Sequence, residues 1–173
     1  MKRILLVCVI SFYAVTSFAQ NLNTTIKVQA MDMAKALIKK DFPTFLKYVH
    51  PNIVAMTGGK DKVLQRMDTV NAVASQLGAV IKKITVGNPG NIIKYRNELQ
   101  VTIPQSSEMT SGFGNVTLET TLIAISTDDG KNWFFIDTSM YNLKEVKKAI
   151  PDLSPELIIP PPKPPKFSPA QQQ

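Results

Sequence analysis

Two side chains of this sequence have the chemistry that an active site needs, His50 and Asp137. His50 is the single histidine of the 173-residue chain, so a metal site with two histidines cannot form. It precedes Pro51 at a predicted helix end, where an imidazole commonly bonds terminal backbone groups. Capping is therefore the first interpretation of His50, and a place in a pocket is the second. The single cysteine, Cys8, lies in the N-terminal apolar run, so we expect no metal, cofactor or thiol chemistry.

Asp137 belongs to a β-rich segment in which Trp133, Phe135 and Asp137 share one parity. If that face borders a cavity, the carboxylate lies beside aromatic walls and could act as a base. The alternative is that Asp137 ends its strand and binds backbone or a basic side chain at the rim. Trp133 and Phe135 are likewise candidates for a pocket wall, for core or for an interface. Because acid–base catalysis needs at least two converging polar groups, Asp137 alone does not establish an enzyme.

The first nineteen residues have the composition of a cleaved signal peptide. Lys2 and Arg3 form a positive start, an apolar run follows over residues 4–10, and Ser17 and Ala19 are small residues placed for cleavage. We expect export to the periplasm or medium after cleavage near Ala19; a retained anchor is the alternative. No later apolar run approaches the roughly 20 residues of a membrane helix, so we expect no membrane span in the mature chain.

The formal net charge of +7 comes from scattered lysines that never form a long run, and arginine is nearly absent. Nucleic-acid binding typically requires a denser basic surface with arginine and interleaved aromatic residues. We therefore expect no nucleic-acid partner.

Three helices are predicted before the sheet. The spacing of apolar residues predicts helices over residues 24–40 and 42–49, the second ended by His50 and Pro51. Residues 53–56 have β propensity and predict a short strand. A long third helix is predicted from apolar residues three or four positions apart: Val63, Met67, Val70, Ala74, Leu77 and Ile81.

The apolar period then changes to two, which predicts strands over residues 81–87, 91–95, 98–104, 116–126 and 132–139. Residues 106–114 are predicted as a polar loop, and residues 128–131 (Asp-Asp-Gly-Lys) as a hairpin turn. The last two strands are apolar on both faces. We expect the helices to cover one face and a second copy of the chain to cover the other, giving a homodimer.

A short helix over residues 143–150 and a proline-rich tail are predicted to end the chain. The tail, residues 151–173, contains runs of proline and three terminal glutamines and is expected to be extended. Leu157, Ile158 and Ile159 are candidates for fixing its start to the domain, and disorder is expected beyond Pro160. The predicted organisation is a signal peptide (1–19), one domain (20–150) and a tail (151–173).

This order of elements resembles the nuclear-transport-factor-2-like superfamily, which includes polyketide-cyclase-like and steroid-isomerase-like proteins. The resemblance covers roughly residues 21–141. The W-x-F-I-D ending, residues 133–137, is similar to that of uncharacterised exported bacterial members. The resemblance is carried by the apolar residues between Ile26 and Ile38 and by the segments DFPTFLKYVHPN (41–52), GGKDKVLQRM (58–67) and DDGKNWFFID (128–137). It implies a cone-shaped α+β fold, cystatin-like in outline, in which three N-terminal helices pack on a curved antiparallel four-stranded sheet around a cavity.

For function, the resemblance implies a cavity used for ligands, for catalysis or as core. We expect a non-catalytic binding module that holds a small apolar ligand or a protein partner in or around the cone. The candidate binding residues are Trp133, Phe135, Asp137, Tyr95 and His50. One alternative is an isomerase-, dehydratase- or cyclase-type enzyme, in which Asp137 would shuttle a proton and Tyr95 or Tyr141 would stabilise an enolate. A second alternative is an interaction domain that acts through its proline-rich tail.

Overall fold

The computed structural model describes residues 22–169, so the predicted signal peptide and the last four residues of the tail lie outside the described residues. Five helices are described: α1 (residues 22–38), α2 (Phe42–Phe45), α3 (Pro51–Met56), α4 (Lys60–Gln76) and α5 (Leu143–Ala149). Six strands are described: β1 (Val80–Val86), β2 (Ile93–Tyr95), β3 (Glu98–Ser111), β4 (Gly114–Ser126), β5 (Phe134–Asp137) and β6 (Lys166–Pro169).

The strands form one antiparallel sheet. Its main path is β1-β3-β4-β5, while β2 pairs with β3 and β6 pairs with β4. The predicted α+β class with an antiparallel sheet is therefore confirmed. Within the described residues the sheet has six strands rather than the expected four, and four helices rather than three precede it.

The short strand predicted for residues 53–56 is wrong, because these residues form helix α3. The His50 side chain accepts a hydrogen bond from the Asn52 backbone at the N-cap, and Pro51 occupies the first turn. Proline is well suited to that position because its missing N–H has no partner there in any helix. Pro51 thus begins a helix rather than only ending the one before it.

The second predicted helix is shorter than expected. Helix α2 ends at Phe45, and Val49 instead forms a parallel bridge with Phe135 of β5. Two hydrogen bonds fix this bridge: Phe135 N donates to Tyr48 O (2.7 Å), and His50 N donates to Phe135 O (3.2 Å). The Tyr48 carbonyl and the His50 N–H are therefore satisfied by the sheet, which residue spacing along the chain does not reveal.

The polar loop predicted for residues 106–114 is also wrong, because β3 and β4 continue as a long hairpin that turns at residues 112 and 113. Their pairing runs without a break from Leu99 with Ser126 to Ser111 with Gly114. The outer part of this hairpin is mostly half-exposed, and an antiparallel ribbon that faces water needs no alternation of apolar residues. Its serine and threonine residues are therefore compatible with strand geometry.

The hairpin predicted at residues 128–131 is confirmed. Strand β4 ends at Ser126, β5 begins at Phe134, and the two pair in antiparallel fashion. Asp129 and Gly130 have φ angles of 57° and 86°, a left-handed backbone that suits tight turns. The Asp128 side chain accepts hydrogen bonds from the backbone and side-chain nitrogens of Asn132, at 2.9 and 2.6 Å.

The two faces of the sheet carry separate cores. The inner face packs against α1, α2 and α4, and its buried residues include Ile26, Phe45, Val101, Leu122, Trp133 and Phe135. The outer face packs against α3, α5 and the C-terminal segment, by which we mean residues 151–169. Its buried residues include Ile53, Ile123, Ile125, Ile136, Val146 and Leu157. The prediction that the closing strands are apolar on both faces is confirmed.

The chain itself covers the outer face that was expected to face a second copy. The buried side chain of Gln100 fixes residues 152–154: its Nε2 donates to Asp152 O and its Oε1 accepts from Ser154 N, both at 2.8 Å. Further along, Thr102 Oγ1 donates to Ile158 O at 3.1 Å. The outer-face residues that motivated the expectation of a homodimer are thus packed against α3, α5 and the C-terminal segment of the same chain.

The C-terminal segment is described to residue 169, and the disorder expected beyond Pro160 is wrong for this part. Strand β6 pairs with residues 114–117 of β4. The ammonium groups of Lys163 and Lys166 both bond the Glu119 carboxylate, and these hydrogen bonds lower the pKa of Glu119 to about 2. Of the three apolar residues expected to fix the tail, Leu157 is buried and Ile159 is partly buried, whereas Ile158 is exposed.

Helix α4 is the long helix that the apolar spacing predicts, but it ends at Gln76, so Ile81 belongs to β1. Gly78, with φ of 61°, takes the left-handed conformation that commonly follows a helix end. Val63 is the one fully buried residue of this helix, and Val70 and Val73 are 62% and 51% exposed. Most of the apolar side of α4 therefore does not pack into the core.

Candidate functional site

A cavity of about 460 Å³ lies between the helices and the inner face of the sheet. Helix α1 and the start of α2 form one wall, α4 forms a second, and β1 with β5 forms the floor. The apolar lining includes Met33, Leu37, Phe45, Val63, Met67, Ile84 and Phe135. Its volume lies within the range of roughly 300–1,000 Å³ that is typical of small-molecule sites, and a mostly apolar lining with few polar groups is their usual chemistry.

Four apolar side chains both line this cavity and reach solvent, and they define what we call the cavity mouth: Ile38, Val70, Val80 and Met140. Their exposed fractions are 36%, 62%, 47% and 55%. They come from α1, α4, β1 and the segment after β5, so the opening lies where α4 stands away from the sheet.

A hydrogen-bonded polar pair lies on the cavity wall. Gln105 Nε2 donates to Asp137 Oδ2 at 2.9 Å, and Asp137 Oδ1 accepts from the Ser139 backbone N–H at 2.8 Å. Both residues of the pair line the cavity, and so does Tyr141. Each carboxylate oxygen of Asp137 therefore has one donor from the protein and lone pairs left over for a ligand.

Two of the five predicted binding residues, Phe135 and Asp137, line the cavity together. They lie two positions apart on β5 and project from the same face, as their shared parity predicts. Trp133 has that parity too, but it precedes the strand and is buried in the inner core, where its Nε1 donates to Gly130 O at 2.9 Å. It is not among the residues that line the cavity.

His50 lies away from the cavity, at the start of α3. Its Nδ1 accepts from the Asn52 backbone N–H at 3.2 Å, and its ring lies edge-on to Phe134 with centroids 6.0 Å apart. Burial lowers the pKa of His50 from 6.5 to about 4, because desolvation disfavours the charged imidazolium. The side chain thus caps a helix, which was the first interpretation of it, although at the N-terminus of α3 rather than at a helix C-terminus.

Tyr95 lies on β2, also away from the cavity. The Arg96 guanidinium lies 5.7 Å from the centre of its ring, and Arg96 forms an ion pair with Asp152. Of the two tyrosines considered as partners for Asp137, it is therefore Tyr141 that shares the cavity with the carboxylate.

Several polar residues of the cavity were not among the predicted site residues, and three of them are Gln105, Arg66 and Lys40. Gln105 lies in β3 just after Pro104, and its parity with Val101 and Ile103 indicates the inner face. Arg66 follows Val63 by three positions on α4, a spacing that places the two on one side of the helix. Both signals exist in the sequence, but neither distinguishes a cavity from filled core.

Within residues 22–169 no group of three or more histidine, cysteine, aspartate or glutamate side chains is arranged to hold a metal ion. None of the helices described combines the length and the apolar character that a transmembrane helix requires.

The fold and this cavity define an α+β protein with an antiparallel sheet and a predominantly apolar cavity on its inner face. Comparison of the chain with family models, with curated proteins and with solved structures gives no significant match.

Proposed function

We propose that this protein is an exported, non-catalytic binding module that holds a small apolar ligand in the cavity beneath α4. One observation carries the proposal: a cavity of about 460 Å³ with a mostly apolar lining opens to solvent through four exposed apolar side chains. Apolar surface left in contact with water is unfavourable, at about 25 cal/mol per Å². A ligand that covers this surface would therefore bind favourably.

The nuclear-transport-factor-2-like kinship belongs to the same proposal. The position of the long helix α4 over the inner face of an antiparallel sheet supports it, as does the cavity between them. Cleavage near Ala19 would release the domain into the periplasm or medium, where the ligand would be met.

The test compares two substitutions on one helix. Ala74 lines the cavity, whereas Ala72 is exposed and lies outside the lining. Ala74→Trp should fill part of the cavity and weaken binding of an environment-sensitive apolar probe, such as N-phenyl-1-naphthylamine, by about tenfold or more, because the displaced apolar contacts exceed 1.4 kcal/mol. Ala72→Trp should leave the affinity unchanged. Equal probe binding by both variants would contradict the proposal, as would wild-type protein that binds no probe.

Native mass spectrometry of protein purified from its own host provides the second measurement. A ligand that occupies the cavity should appear as a bound mass on the wild type and be reduced on the Ala74→Trp variant. If Met67→Trp, at a partly buried position of α4 that also lines the cavity, gives the same loss, a folding defect specific to Ala74→Trp is excluded as the cause.

A second candidate function is proton transfer of isomerase, dehydratase or cyclase type, favoured by the presence of Asp137 and Tyr141 on one cavity. An enzyme would release product from the wild type and retain substrate on an Asp137→Asn variant. The two proteins would then carry different bound molecules from the same host. A pure binding module would carry the same molecule in both.

A further inference from the structure

The charged groups of the cavity are not balanced. Its ionisable cations are Lys40 and Arg66, and its acidic residue is Asp137. Asp137 accepts hydrogen bonds from Gln105 and Ser139. By contrast, no side-chain hydrogen bond or ion pair joins Lys40 or Arg66 to another residue of the described chain.

Both cations line the cavity and are exposed to solvent. They share these two properties with the four apolar residues of the cavity mouth. Lys40 follows α1 two positions after Ile38, and Arg66 lies on α4 four positions before Val70. Residues four apart on a helix are neighbours on its surface, so Arg66 and the mouth residue Val70 lie on the same side of α4. The opening therefore combines apolar side chains with uncompensated positive charge.

We infer that the cavity takes a single-chain amphipath with an anionic head group, the chain inside and the head at Arg66 and Lys40. This inference rests on the proposed binding function and adds the ligand class to it. A guanidinium presents paired N–H donors that match the oxygens of a carboxylate or phosphate. A volume of about 460 Å³ is in the range of one drug-sized molecule, which favours one alkyl chain over a two-chain lipid.

The position of Asp137 agrees with this arrangement. It belongs to β5 on the sheet side of the cavity, whereas Lys40 and Arg66 belong to the helical side. An anionic head at the helical side would pair with the cations there, whereas both Asp137 carboxylate oxygens already accept hydrogen bonds, from Gln105 and Ser139. A cationic head would instead meet Lys40 and Arg66 as it entered, with like charges facing each other.

The experiment measures affinities of three ligands with the same chain: dodecanoate, dodecyl phosphate and dodecanol, by displacement of the naphthylamine probe at low ionic strength. We expect both anions to bind at least about tenfold more tightly than the alcohol, since hydrogen bonds to charged groups are the stronger class. Arg66→Gln should remove most of that preference, and Lys40→Gln should remove part of it, while dodecanol binding stays unchanged. The preference should also shrink as salt is raised, because exposed charges are screened.

Lys94→Gln is the matched control, because it removes one positive charge from an exposed residue of β2 that does not line the cavity. It should leave all three affinities unchanged. Equal binding of anions and alcohol overturns the inference, as does an anion preference that Lys94→Gln lowers as much as Arg66→Gln does. In either case, loss of dodecanol binding in Ala74→Trp would still support the cavity as an apolar site.

Failure of the proposed function looks different, because the wild type would then bind none of the three ligands. The source of the amphipath is separated by incubating the protein with vesicles that contain lysophosphatidylglycerol, with dodecanoate free in solution, and recovering it for native mass spectrometry. A bound lysophospholipid would assign the ligand to membranes, and bound dodecanoate without it would assign the ligand to free amphipaths. Both results support the anionic head group.

Discussion

The two faces of the sheet are equally apolar in sequence but are packed differently. The outer face is filled by α3, α5 and the C-terminal segment, with Ile123, Ile125 and Ile136 almost fully buried. Over part of the inner face α4 stands away from the strands, buries only Val63 and leaves a cavity. In the proposed function, the filled outer face contributes only to stability, whereas the inner face also provides the binding cavity.

The two faces differ in how the elements packed on them are attached to the sheet. We call the elements packed on the outer face, α3, α5 and the C-terminal segment, the outer cover. The outer cover is held by specific polar anchors, the buried Gln100 amide with residues 152–154 and the pairing of β6 with β4. Helix α4 has no comparable polar attachment to the sheet among the hydrogen bonds of the described residues. A loosely packed element beside a cavity is where a protein can change shape at low cost on ligand binding.

The sharpest test of the comparison is a pair of truncations, one on each face. Ile125→Ala removes a fully buried side chain of the outer core and should lower the free energy of unfolding by about 2–5 kcal/mol. Val70→Ala, at the exposed cavity mouth, should change it by less than about 0.5 kcal/mol. Urea denaturation followed by circular dichroism measures both. Similar costs for the two variants would contradict the difference between the faces.

The second test uses pH, because His50 touches the outer face through Phe134. Its pKa is about 4 in the folded protein and 6.5 as the ordinary value, so between these values the unfolded chain binds a proton that the folded chain does not. Stability is therefore complete above pH 6.5 and falls as pH drops to 4, by about 3 kcal/mol in total. A protonated Nδ1 also cannot accept from Asn52.

Denaturation curves across this pH window measure the effect, and His50→Asn is the control. Asparagine is a favourable N-cap residue that does not titrate, so this variant should keep α3 and lose most of the pH dependence between 6.5 and 4. An unchanged slope in His50→Asn would show that other groups are responsible.

The third test weakens the anchor of the outer cover without touching its apolar core. Gln100→Ala leaves the Ser154 N–H and the Asp152 carbonyl without their partner, which should cost about 1–3 kcal/mol. It should also make residues 152–169 susceptible to limited proteolysis while probe binding in the cavity persists. Gln76→Ala, at the exposed end of α4, is the control and should change stability by less than about 0.5 kcal/mol.

Much of the secondary structure could be predicted, because it depends on neighbours along the chain. Helix α5 follows from its apolar spacing and has a capping box between Asn142 and Glu145. The turn near Gly130 follows from residues that tolerate positive φ. The errors came where local signals conflicted: residues 53–56 favour a strand by propensity, but Pro51 and the His50 cap favour a helix, and the helix formed.

The candidate site was predicted in part for the same reason. Parity on one strand placed Phe135 and Asp137 together. Trp133 does not line the cavity, whereas Gln105, Arg66 and Lys40 do. Both facts depend on contacts between elements that are distant along the chain. The C-terminal segment shows this limit most clearly, because its proline content predicts an extended chain but not the surface on which that chain lies.

The α+β class and the two-sided character of the closing strands follow from which residues are apolar and with what period they recur. The packing of distant segments then sets which face is filled by the chain's own C-terminal segment and which is left with a cavity. This difference arises because the hydrophobic effect is not directional, so an apolar residue can be buried by any apolar surface. Which segment supplies that surface depends on chain connectivity and on a few polar anchors such as Gln100.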